Sequence, residues 1–266
     1  MVTALAVAMA VAAGATVSAA PRKDAKGQLA DLQPAIAAMA DADPEVAAHA
    51  VEALGASDLP AAHDALLDGL AFGMPGVVAV VAIAQLTKHP APPDVTAIIR
   101  YAHHRDPSVR AAALTSLAAY PAPEAQQAMI AGLHDPAGLV RAGAAGAVAR
   151  AHVRAAIEPL FQLLAKGEDP AATALAQMAD PELAARIADH LGQVPDAQLA
   201  ECLGGVLLRS DFGPDPARVE VVRALIKIQD RAAVDALGAY VDKTPANPPR
   251  PSRAEANRYL TERTPK

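Results

Sequence analysis

The side chains best suited to chemistry sit in the stretch HHRDP at 103–107 and at His134, one short interval later. His104-Arg105-Asp106 spells the tripeptide of a phosphoryl-transfer catalytic loop, where the Asp takes a proton from the attacking hydroxyl. That chemistry also needs a downstream Asn, a DFG segment and a Gly-rich loop over the phosphates, and the sequence has none of them. Asp106 directly before Pro107 is better read as a helix cap. His103 and His134 are 31 residues apart, a spacing that could bring two ligands to neighbouring rungs of a repeat. No third ligand is evident, so no metal is expected, and both read as polar residues at helix ends. The stretch GLVRAGAAG from Gly138 lacks the Lys-Ser/Thr of a phosphate loop. Ser/His/Asp nucleophile signatures are absent, and Cys202 is the single cysteine, which excludes an intramolecular disulfide. It reads as a small buried apolar residue. No catalytic residue and no cofactor site are expected, and the chain is read as a non-enzyme.

The elements around these residues explain them. Asp-Pro occurs at 43–44, 106–107, 135–136, 169–170, 180–181 and 215–216. Asp accepts a bond from a free N–H of the first helical turn, and Pro at the first position loses nothing, because its missing N–H had no partner there. Each pair predicts a helix start. Apolar triads at i, i+4, i+8 follow: Val46/Ala50/Leu54, Val78/Ala82/Leu86, Val109/Ala113/Leu117 and Val140/Ala144/Val148. Their leading valines are 32, 31 and 31 residues apart. A fixed period carrying one helical stripe predicts stacked helical hairpins. VEALGASDLPAAHDALLDGL from Val51 and VRALIKIQDRAAVDALGAYV from Val222 agree at 8 of 20 ungapped positions, which points to the same helix-turn-helix unit. Only 3% of residues are aromatic, so the core must be built from Ala, Leu and Val, and that suits closely approaching helices better than a sheet.

DPSVRAAALTSLAAYP and VRALIKIQDRAAVDALGAYV resemble HEAT repeats, including the short variety of phycobilisome-lyase-like proteins, in which one helix carries V-R-x-x-A and the next A-V-x-x-L. The resemblance spans about 28–243, is strong over 43–150 and 216–243, and weakens between about 169 and 210, where two short helices fall off the period. It implies an all-α, right-handed solenoid of about six hairpins. It implies also that the second helices of the hairpins line the concave face. Some members are di-iron hydroxylases built on His-Glu dipeptides. This chain has no His-Glu dipeptide, so that activity is not carried over.

The expected organisation is a signal peptide over 1–19, a solenoid over 20–243, a Pro-rich linker over 244–251 and a C-terminal capping helix over 252–266. The segment 1–19 is apolar, holds no charge and ends in Val17-Ser18-Ala19, so cleavage is expected before Ala20. The alternatives are an uncleaved anchor and an ordinary first helix. The expected location is outside the cytosol, periplasmic or secreted, with no membrane span after processing. The helix after the linker starts with the capping-box pattern SRAE at 252–255 and reads as a cap on the last repeat, with partner docking as the alternative.

In PDVTAIIRYAHHR, the stripe Val95, Ile98, Ile99 and Ala102 is expected to be buried. Arg100, Tyr101 and His104 then fall on the opposite face. Stepping by the period brings Phe72, Gln162, Leu163 and Tyr240 to corresponding faces of other second helices. Aromatic and Arg residues anchor interfaces more often than they decorate inert surface. Phe72, Arg100, Tyr101, His104, Gln162 and Tyr240 are therefore the candidate partner-binding residues. The expected function is a non-catalytic protein-binding scaffold of the bacterial envelope, a monomer with a protein partner. The alternative is a lyase-like or other modifying activity on the same scaffold. Nucleic acid is disfavoured, since the net charge is −6 and no basic stripe is visible.

Overall fold

The Asp-Pro pairs start helices. The Asp43, Asp106 and Asp180 side chains accept from the Glu45, Ser108 and Leu183 N–H groups at 2.8–2.9 Å. Asp135 accepts from Ala137 N–H at 2.8 Å, one residue before its helix begins. Asp169 and Asp215 instead occupy the first helical position, and their carboxylates turn to Gln198 and Ser252. The catalytic-loop tripeptide is thus a cap.

The computed structural model describes residues 25–263. The expected leader at 1–19 and the last three residues of the terminal segment lie outside the described residues. Fifteen α-helices make up the described chain. They are α1 (Ala25–Ala38), α2 (Pro44–Gly55), α3 (Pro60–Phe72), α4 (Gly76–Leu86) and α5 (Pro92–Tyr101). Next come α6 (Pro107–Leu117), α7 (Pro123–Gly132), α8 (Gly138–Arg150), α9 (Ile157–Ala165) and α10 (Asp169–Met178). The last five are α11 (Pro181–Ala188), α12 (Asp196–Leu208), α13 (Asp215–Lys227), α14 (Arg231–Lys243) and α15 (Pro251–Arg263). The chain is an all-α solenoid.

The helices form two rows. Even-numbered helices pack each against the next, from α2 through α14, and the odd-numbered helices through α11 pack mainly onto the even ones beside them, whereas α13 packs most on α15. A buried column runs down the even row at Ala47, Val78, Val109, Val140, Ala171, Cys202 and Ala233. Four residues further along each helix lie Val51, Ala82, Ala113, Ala144, Leu175, Val206 and Leu237, all inaccessible to solvent. Each step in both columns is 31 residues.

This register corrects three expectations. The first triad is Ala47/Val51/Gly55, one residue later than expected: Val46 is 42% exposed, because it sits on the solvent-facing side of α2. The period does not lapse between 169 and 210. The α10–α11 connection shrinks to residues 179–180, α11 is a short helix, and the α11–α12 connection lengthens to 189–195, so the count is kept. Arg209 and Arg218 hold this irregular part by donating to the Ala176, Ala179, Leu207 and Phe212 carbonyls at helix ends. There are also seven even-odd pairs among the described residues, preceded by α1, rather than six.

The match between the segments at Val51 and Val222 hides an exchange of roles. The first begins in the even row and passes to the odd row, whereas the second begins on α13, in the odd row, and passes to α14 in the even row. Arginine chemistry separates them. Arg110 and Arg141 each donate back to the loop before their own helix, to His104 O and Asp135 O, and forward to a carboxylate of the next loop, Asp135 and Glu168. Asp135 is held below the usual carboxylate range chiefly by Arg110, against the upward push of burial. Arg223, in the third Val-Arg pair, instead meets Glu220 and Glu255 on the outside.

The terminal helix α15 packs on α13 and α14. Buried Ser252 sits at its start, where its hydroxyl bonds to Tyr240 at 2.6 Å and to Asp215, and its N–H donates to Asp215 at 3.1 Å. Tyr259 and Leu260 pack on the core from its other turns.

Because Leu117 is inaccessible and belongs to the column that joins α6 to its neighbours, Leu117→Ala should cost about 2–4 kcal/mol in chemical denaturation. Arg105→Ala, in an exposed loop, should cost under about 0.5 kcal/mol. Equal small effects would mean that the column is misplaced.

Candidate functional site

The two rows differ in how tightly their helices meet. A Cβ on Gly143 of α8 would lie 3.1 Å from the Ala111 carbonyl oxygen of α6. A Cβ on Gly205 of α12 would lie 2.9 Å from the Ala176 Cβ of α10, and one on Gly204 would lie 2.7 Å from the Ala236 Cβ of α14. Small residues here let backbones approach closely. The odd row is open by contrast. A cleft of about 690 Å³ lies between α5 and α7, lined by Val95, Ile99, Arg100 and Tyr120, and another of about 640 Å³ lies between α11 and α13. A stack that is closed along one row and gapped along the other bends toward the closed row. The even helices therefore line the inner face, and the odd helices lie outside.

This reverses the expectation that the helices bearing Arg100 and Tyr101 line the concave side. Arg100, Phe72 and Gln162 are exposed, Phe72 at 93%, but on odd helices. Tyr101 is buried: its hydroxyl donates to Leu70 O at 3.0 Å and accepts from Met74 N–H at 3.4 Å, which ties α5 to the preceding pair. His104 is half-buried, stacks on Tyr101 and accepts from Asp106 N–H through Nδ1. Leu163 is buried. Tyr240 is buried and lies on α14, in the even row, under α15. The structure thus scatters the six candidates over both rows, and two of them serve packing. The helical phase was read from one helix as though its far side met water. An odd helix is flanked by even helices and by its own neighbours, so more of its circumference is covered.

The inner face has its own columns. Solvent reaches Val77 on α4, Ser108 on α6, Leu139 on α8, Pro170 on α10 and Glu201 on α12, each 31 residues after the last. A parallel column holds Ala84, Thr115, Gly146, Gln177 and Leu208. Among the described residues, four of the six large apolar side chains that stay exposed, Val46, Val77, Leu139 and Leu208, are on even helices. Over α4, α6 and α8 the only charged residues are Arg110 and Arg141, both in ion pairs, and Arg150, which donates to Thr115 O at the end of α8. Further along, Glu201 and Asp169 share the face. Partial burial, then the charge of Asp169, pushes the Glu201 carboxyl above its usual range, and a hydrogen bond from Thr173 opposes the rise. Gln198 donates to Asp169 at 3.1 Å.

A polar cluster between α3 and α5 escaped the reading of the sequence. Asp94 has no exposure at all and accepts from His63 Nε2 at 2.7 Å, from the Tyr120 hydroxyl at 3.0 Å and from Ala91 N–H at 2.9 Å. Burial, reinforced by the Asp94 charge, drives the Tyr120 phenol far above its usual range. His63 also lines a cleft of about 310 Å³ with Ser57, Asp58, Gln85 and His89. His63 and Asp94 are one period apart, and that spacing was the available signal. The arrangement satisfies a buried carboxylate and joins three successive repeats.

His103 and His134 are both exposed, and the described residues hold no group of three His, Cys, Asp or Glu placed to share a metal ion. Cys202 is fully buried in its column, and burial pushes its thiol well up. Among the described residues no helix is long and apolar enough to cross a membrane.

Residues 93–179 match the family model for HEAT repeats. No curated protein matches the chain. Among solved structures, a Kap121p mutant is 14% identical with a TM-score of 0.51, and the match covers 88% of this chain and 29% of that one. The complex of CpcE and CpcF of phycocyanin lyase from Nostoc is 16% identical, covering 95% of this chain and 99% of that one, with a TM-score of 0.47. Human deoxyhypusine hydroxylase is 17% identical, covering 88% and 97%, with a TM-score of 0.42. At these identities the likeness concerns the fold alone.

Removing the Asp94 carboxylate strands a buried phenol and a half-buried imidazole. Asp94→Ala should therefore cost roughly 2–4 kcal/mol of stability, well above the roughly 1 kcal/mol expected for Tyr101→Phe. Matching midpoints for the two variants in urea would contradict the shared network.

Proposed function

We propose that this chain of HEAT repeats is a non-catalytic scaffold that docks a protein partner on the inner face formed by its even helices. The observation that supports it most is the face of α4, α6 and α8. It leaves Val77 at 69% and Leu139 at 58% exposure, with small uncharged residues between them, on a chain that is one-fifth charged. A soluble solenoid gains nothing in solubility from such a face, whereas a partner gains apolar contact without displacing charge.

The proposed place of work is the cell envelope. The uncharged apolar segment 1–19 and its small-residue end support export, and N-terminal sequencing from the native host should then find Ala20 or a near neighbour. A chain retaining Met1 in the cytosol would remove the envelope from the account and leave the scaffold.

Affinity purification from the native host tests the scaffold itself. Leu139→Glu with Thr115→Arg places two charges on the inner face, and partner recovery should fall about tenfold or more with helix content unchanged. Phe72→Ala with Arg100→Ala, on the odd row, should leave recovery near wild type. The opposite pattern would put docking on the odd row, and equal recovery by all three proteins would deny both faces.

A further inference from the structure

The inner face specifies what it would hold, and this rests on the docking reading above. Its columns run uncharged across four helices and then meet carboxylates. Val77, Ser108, Leu139 and Pro170 are followed in the same column by Glu201, with Asp169 beside it. The parallel column, Ala84, Thr115, Gly146 and Gln177, ends in Leu208 at 39% exposure. Among the described residues no Lys or Arg forms an ion pair with Asp169 or Glu201, which take hydrogen bonds from Gln198 and Thr173. Two carboxylates at the end of an uncharged face complement a cation at the end of an uncharged segment. The C-terminal rim of the same helices is unsuited to that cation, because Lys88 follows α4 and Arg150 ends α8.

We propose that the partner presents a segment of small uncharged residues ending in Lys or Arg, lying across α4, α6, α8 and α10 with its cation over Asp169 and Glu201. Adjacent packed helices are roughly 8–10 Å apart, so the path from α4 to α12 is about 35–40 Å. An extended chain advances about 3.3 Å per residue, and the segment is therefore about ten to twelve residues long. Bulky side chains do not suit it. Gly146, where an added Cβ would meet only the Arg150 side chain, leaves room for backbone to approach α8 and little depth for a ring.

Fluorescence anisotropy with two synthetic peptides tests this on the full chain. Both carry the same twelve-residue Ala/Val/Ser run; one ends in Lys-Lys and the other in Glu-Glu. The wild-type protein should bind the Lys peptide saturably and at least about tenfold more tightly than the Glu peptide. Glu201→Lys should reverse that order, and Asp169→Lys, a second exposed position, should do the same if the first variant folds poorly. Thr115→Arg should weaken both peptides about tenfold at unchanged melting temperature. No saturable binding of the Lys peptide up to about 1 mM, where the binding free energy is only about −4 kcal/mol, overturns the proposal. So does a preference that Glu201→Lys and Asp169→Lys leave intact. If the inner-face charges abolish native partner capture while neither peptide binds, docking stands and this partner chemistry falls.

Discussion

Consecutive even helices meet almost backbone to backbone. At Gly143, Gly204 and Gly205 a single added carbon would press on the Ala111 carbonyl, Ala236 or Ala176. Helices this close need small residues at the crossing and a strictly repeated register, since a shift of one residue turns the apolar stripe by about 100°. The rest of the molecule follows. The column from Ala47 to Ala233 keeps its 31-residue step even where α11 is short and the loops change length. The odd row, with no such constraint, opens into clefts. The same small residues that allow the close row also give its exposed side a smooth, uncharged surface.

Electrostatics secures the edges of the stack rather than its centre. Arg110 and Arg141 join each loop to the next where hairpins would otherwise slide. Arg209 and Arg218 collect carbonyls at the ends of α10 and α12, where the loops depart from the repeat. Asp94 does the same work between α3, α5 and the loop bearing Tyr120. Each group bridges neighbouring repeats, and each leaves the middle of the inner face neutral. Charge returns to that face at Asp169 and Glu201, and at its other end Glu45 of α2 stands in the Asp169 column four repeats earlier.

Much of the architecture was legible in the sequence. Asp-Pro pairs marked helix starts, and valines at 78, 109 and 140 exposed the period. The signal faded where Ala171, Cys202 and Ala233 replaced valine, because Ala is equally at home on any face of a helix and Cys is rare. Asp-Pro at 180 and 215 then drew attention to α11 and α13, which belong to the other row. The binding face was harder to read for a different reason. Helical phase separates covered from uncovered sides of one helix, but which row closes and which opens depends on the sizes of residues at crossings between helices. Tyr101 and Tyr240 illustrate the limit. Scarce aromatics suggested an interface, yet their hydroxyls reach Leu70 and Ser252 inside the stack.

Cys202 offers the most direct measure of the unbroken register. It is the only thiol, it stands in the column exactly where a valine stands in three earlier repeats, and it lies in the stretch where the pattern is weakest. A thiol reagent such as DTNB should leave the folded chain unmodified over hours, and the slow reaction should track global unfolding as denaturant is added. Stoichiometric labelling of the folded protein within minutes would place Cys202 on the surface and contradict the continuous even row.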